Sequence, residues 1–170
     1  MKILLFTVLL ALLAFSGAAA KVTLFLHDND KAFIQALIMT ESMNDDSAVG
    51  DNGKAYGALQ IHAKTVTDIN KLQRLSLTHN DMFKRNCAIY SCYIYLAYWG
   101  KNYTLETGKK PSYQTLARIW NGGPEGYKNS KTKKYWKKVK THLKKRRLMI
   151  KKMNQALAKQ QADSQQIVVK

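Results

Sequence analysis

The helical period that runs from residue 32 stops at Glu41, and the stretch that follows, "ESMNDDSAVGDNGKAYGALQIH", cannot continue it. Ile34, Leu37, Ile38 and Glu41 fall on one face by the i, i+3, i+4, i+7 rule, so a carboxyl group ends an apolar stripe instead of lying opposite it. Asn52-Gly53 then supplies a strong short hairpin signal, with flanking residues that suit short strands. A helix followed this closely by a hairpin must pack against it. The chain is therefore expected to be α+β, mainly α, with a small β-hairpin beside the helix that ends in Glu41.

The remaining sequence returns to helical spacing. Asp28 or Asp30 can cap the first helix, and helices are expected at about 64–76 and 81–99. The second of these is dense in aromatics (Phe83, Tyr90, Tyr93, Tyr95, Tyr98, Trp99), with Gly100 as its stop. A Ser112-capped helix carries Leu116, Ile119 and Trp120 and halts at Gly122-Gly123-Pro124. No internal repeat is visible.

Residues 1–20 read as a secretory signal: Lys2 gives the charge, Ile3 to Phe15 the apolar core, and the small residues before Lys21 a cleavage site after Ala20. That run falls short of the ~20 apolar residues a membrane span needs. A secreted or periplasmic protein, one domain and a monomer, is the expectation for the remainder. Two cysteines do not make a disulfide framework. Cys87 and Cys92 sit five apart in a helical pattern, where their side chains diverge, and two separate thiols are expected. His27, His62, His79 and His142 show no ligand spacing, so neither a metal nor another cofactor is expected.

Glu41 is the candidate for chemistry. A carboxyl group at the buried end of an apolar face loses hydration and holds its proton to higher pH, as a general acid must. Most glutamates at helix ends simply face water, and Glu41 alone would be read that way. A hairpin directly after it makes a facing cleft wall with Asp51, Gln60 and the Gly57 backbone near the opening. Glycosidases use such a layout, an acid on one side of the bond and a carboxylate or polar group on the other. Asp45, Asp46 and Asp51 compete for the second role; Asp51 is favoured by its place at the hairpin, although it also suits an ordinary pre-turn position.

The segments "ALIMTES", "GDNGKAYGALQIH" and "LARIWNGGP" together resemble the lytic transglycosylase and goose-type lysozyme branch of the lysozyme-like superfamily, over about residues 32–127. Those families carry a Glu-Ser pair at a helix end, a Gly-x-x-Gln strand and a Tyr/Trp-Asn-x-Gly-Pro motif, in this order. The resemblance implies a lysozyme-like fold, with Glu41 as catalytic acid and Ser42 as its support. It places Tyr56, Gly57 and Gln60 on a substrate-lining strand, and Trp120 and Asn121 on the motif that closes the cleft. Trp120 also suits core packing beside Leu116, and Asn121 a helix C-cap. The implied activity is that of a muramidase, cutting the β-1,4 bond between N-acetylmuramic acid and N-acetylglucosamine in peptidoglycan, by hydrolysis or lytic transglycosylation.

One position departs from a related pattern. Chicken-type lysozymes place a second carboxylate directly before the Tyr-Gly pair, where this chain has Ala55. Invertebrate-type lysozymes place an aspartate nine residues before the matching glutamine, the spacing of Asp51 from Gln60. The division expected is a catalytic domain over 21–127 and a basic segment over 128–170.

From Lys128 to Met153 the chain has thirteen of its 28 basic residues and no acid, within a formal net charge of +17. Trp136, Val139, Leu143, Ile150, Met153 and Leu157 recur at helical spacing, which predicts an amphipathic basic helix with a frayed end. It is either a solvated face or an anchor to anionic wall polymers or a membrane surface. Two rival functions are a catalytically inactive cationic binder on the same fold and a nucleic-acid binder. The second is disfavoured, because only Tyr135 and Trp136 interleave the basic run.

Overall fold

A computed structural model describes the backbone of residues 28–168 and the side chains of 30–161. Residues 1–20, expected from the sequence to be a secretory signal, lie outside the described residues. The chain runs α1 (Asp28–Glu41), β1 (Val49–Gly50), β2 (Ala55–Tyr56), β3 (Ile61–His62), α2 (Ala63–Gln73), α3 (Arg85–Thr107), α4 (Tyr113–Gly122) and α5 (Thr132–Val168). Two short 3₁₀ turns, Asp51–Gly53 and His79–Phe83, join these elements. The described residues are mainly helical, with one small antiparallel sheet.

Helix α1 is the centre of the molecule. Ala32, Phe33, Ile34, Ala36, Leu37 and Ile38 are all buried, so its apolar surface exceeds a single stripe, as suits a helix with neighbours on several sides. Asp28 opens its described portion. Asp30 lies inside the helix, where its carboxylate accepts from the Tyr113 hydroxyl at 2.8 Å instead of capping. Beyond Glu41 the backbone turns left-handed at Met43 and Asn44, which ends the helix.

The sheet has three strands in the order β1-β2-β3, one more than the hairpin expected. Val49 pairs with Tyr56 and Gly50 with Ala55; Tyr56 then pairs with Ile61 and Ala55 with His62. The loop between β1 and β2 is the four residues Asp51–Lys54, and Asp51, Asn52 and Gly53 all have positive φ. The sheet is held on the 3₁₀ turn at 79–83 by ring stacking: Tyr56 lies 3.8 Å from His79 and 4.7 Å from Phe83. Gly57, at φ +73°, lies so close to this turn that a Cβ would run into the Met82 carbonyl.

Gly100 does not stop its helix. It is buried in the middle of α3, where a Cβ would meet Leu116 Cδ2 at 3.2 Å and Pro111 Cγ at 3.3 Å, and its smallness lets the start of α4 approach. Gly108, at φ +70°, ends the helix. Ser112 caps α4 as expected, its hydroxyl accepting from the Thr115 amide at 3.1 Å. The basic segment forms one helix whose backbone continues to Val168, past the expected frayed end. Its first third enters the core. Val139 and Leu143 are buried in the same cluster as Leu37, Ile38, Leu59, Ile69 and Ile119, and Tyr135 packs against that cluster.

Candidate functional site

Glu41 sits where three helices meet. As the last residue of α1 it projects from the end of the buried stripe, while Trp120 comes from α4 and Tyr135 from α5. The Trp120 indole N–H donates to Glu41 Oε1 at 3.0 Å, and the Tyr135 hydroxyl donates to the same oxygen at 2.6 Å. Burial pushes the Glu41 carboxyl above its usual range, and the bonds from Tyr135 and Trp120, with the Lys138 charge, pull back against it without cancelling it. Burial likewise raises Tyr135, with the Glu41 charge adding to it, so the phenol keeps its proton and stays a donor. Both donors fall on one carboxyl oxygen. Oε2 is thereby left as the oxygen suited to hand a proton to a ligand.

The loop after the acid is held by two side chains, Ser42 and Arg85. Ser42 Oγ donates to the Ala58 carbonyl at 2.9 Å and accepts from the Asp45 amide at 3.1 Å, tying the helix end to the sheet. Arg85 spans 39 and 41 residues to bond Asp46 Oδ2 at 3.0 Å, Asn44 Oδ1 at 2.8 Å and the Asn44 carbonyl at 3.0 Å. This clamp puts the sheet opposite Glu41.

Between them lies a cleft of about 290 Å³ lined by Glu41, Trp120, Asn121 and Tyr95 on the helical side and by Asp51, Ala55, Gln60 and His62 on the sheet side. Asp51 is 57% exposed and its carboxylate lies 3.4 Å from His62 Nε2. Asn121 is exposed inside the last turn of α4, and Gly123 takes the C-cap position. Trp120 is both core and cleft residue, since its ring stands edge-on to Tyr95 at 5.6 Å. Ala55 lines the cleft on the sheet side.

Four of the residues singled out in the sequence thus share the cleft with Glu41: Asp51, Gln60, Trp120 and Asn121. Gln60 is more brace than free donor. Its amide nitrogen donates to the carbonyls of Gly57 at 2.9 Å and Ala48 at 3.2 Å, holding a backbone with φ +48°. Ser42, Tyr56 and Gly57 serve as framework behind the wall. Tyr135, His62, Thr65 and Tyr95 were missed. Tyr135 carried a signal, since Tyr135, Val139 and Leu143 recur at i, i+4, i+8, but the surrounding lysines masked it.

Among the described residues no group of three His, Cys, Asp or Glu is placed to hold a metal, and Cys87 and Cys92 are both free thiols. Burial raises the thiol of Cys92, with the Glu41 charge adding to the effect, and burial likewise raises that of Cys87. No protein-family model matches the chain, and no curated protein matches it.

Proposed function

We propose that the protein is a secreted muramidase on a lysozyme-like fold, cleaving the β-1,4 bond between N-acetylmuramic acid and N-acetylglucosamine. The observation that carries this reading is the hydrogen-bonded, water-poor Glu41 facing Asp51 across an open cleft. A glycan strand lies along the cleft. Glu41 gives its proton to the bridging oxygen, the bond from that oxygen to C1 breaks, and the electron pair leaves with the oxygen. Positive charge grows at C1 and on the ring oxygen, and the carboxylates of Glu41 and Asp51 stabilise it from the two sides. Glu41, now ionised, takes a proton from the incoming nucleophile. Water gives a reducing end, and the 6-hydroxyl of the muramic sugar gives an anhydro end.

Tyr135 and Trp120 act through Glu41. They fix its rotamer and moderate its proton affinity, so that it is an acid before cleavage and a usable base after it. Incubating peptidoglycan with the wild-type protein and with Glu41→Gln, followed by mass analysis of released fragments, tests the proposal. Release by wild type alone supports it, and the end groups name the second step. No release by wild type sinks it.

A further inference from the structure

Helix α5 divides into two stretches. Through Leu143 its apolar side chains enter the core, but beyond it the stripe continues with little to cover it. Met149, Met153 and Leu157 are 54%, 55% and 52% exposed, and at ~100° per residue they lie on one face of the helix at i, i+4, i+8. Ile150, on the edge of that face, turns instead toward the core. Lys144, Lys151, Lys152 and Lys159 lie away from that face, as does the exposed Leu148, while Lys145 stands one turn before Met149 at its edge, and no acid occurs between Glu125 and Asp163. Arg146 lies among the apolar residues with its guanidinium 3.6 Å from the Met149 sulfur, a basic head carried along the apolar stripe.

We infer that residues 144–159 are an interfacial membrane anchor, laying Met149, Met153 and Leu157 into the surface of an anionic bilayer while the lysines engage lipid phosphates. Charge complementarity argues for an anionic partner, and the apolar stripe chooses among anionic partners. A wall polymer or nucleic acid would satisfy the lysines and leave three large side chains in water. A bilayer surface accepts both faces at once. Among the described residues no helix is long and apolar enough to cross a membrane, and the contact proposed for α5 is one of lying on the surface. This inference does not depend on the activity of Glu41.

The experiment is flotation of the purified protein from Lys21 onward with vesicles of phosphatidylglycerol and phosphatidylcholine, or of phosphatidylcholine alone. Wild type should float with the anionic vesicles, and part of that binding should survive 0.5 M salt. The combined variant Met149→Gln, Met153→Gln, Leu157→Gln should lose at least tenfold in vesicle binding while eluting from a heparin column at the wild-type salt concentration. Circular dichroism checks that α5 stays helical; if the triple variant loses helix, Met153→Gln alone should still lose severalfold. Flotation of the apolar variants equal to wild type would assign the helix to polyanions in general, and a wild type that fails to float would overturn the anchor outright. Glu41→Gln should float like wild type.

Discussion

The two walls of the cleft are built on opposite principles. On the helical side Glu41 is packed, hydrogen-bonded twice and drawn from three helices, and its proton affinity follows from that enclosure. On the sheet side Asp51 stands in a four-residue loop, three of whose residues have positive φ, more than half exposed and with His62 as its neighbour. An enclosed carboxyl can be tuned by its surroundings, whereas an exposed one acts mainly by position. In a glycosidase the first determines whether the bond breaks, and the second influences what arrives afterwards.

That contrast can be broken most directly at Glu41. Glu41→Gln keeps an oxygen to accept from Trp120 and Tyr135 but has no proton to give, and turnover should fall by about 10³ or more, read as fragment release. Asp51→Asn should cost on the order of tenfold, with the ratio of reducing to anhydro ends as the sharper readout. A loss as deep as that at Glu41 would make the two walls equal partners. An unchanged rate would leave Asp51 only its loop.

Two smaller effects probe the enclosure itself. Tyr135→Phe removes a bond that favours the ionised form of Glu41, so the Glu41 pKa should rise and the alkaline limb of the kcat/KM profile should move to higher pH, with a severalfold loss in kcat. A limb that stays in place would mean the hydroxyl does not reach the acid in solution. The smallest effect concerns stability. Because the folded pKa of Glu41 is raised, its contribution is most favourable at low pH and is lost as pH rises through that folded value. Glu41→Gln should therefore gain in Tm relative to wild type between pH 4 and pH 8, and a flat difference would deny the enclosure.

The same contrast explains what the sequence disclosed. Glu41 was legible because enclosure begins with an apolar stripe, and the stripe of α1 runs into it. The period change after Glu41 announced the sheet, and Ser112 announced α4. The third strand escaped because Ile61–His62 is two residues long and follows a glutamine with positive φ, which no propensity anticipates. Gly100 misled because a glycine that ends a helix and one that admits a neighbouring helix look alike in sequence. The place of Asn44 and Asp46 under Arg85 depends on contacts 39 and 41 residues apart, beyond any local pattern.

Tyr135 was hidden for a different reason. Its neighbours announce charge so loudly that the segment from Lys128 reads as a separate appendage, while Val139 and Leu143 carry its beginning into the core. Composition describes the average of a helix, and burial is decided by a few positions on one side of it.

The bonds on Glu41 Oε1 join residues 79 and 94 positions apart. A chain folded only through α4 lacks the Tyr135 bond and the cover that α5 gives, so its glutamate is left more open to water and is a weaker proton store. On the proposed reading, catalytic competence requires the docking of the helix that begins at Thr132, because Tyr135 of that helix completes the enclosure of Glu41. Under the proposed function, loss of that helix would disarm the protein without touching Glu41 itself.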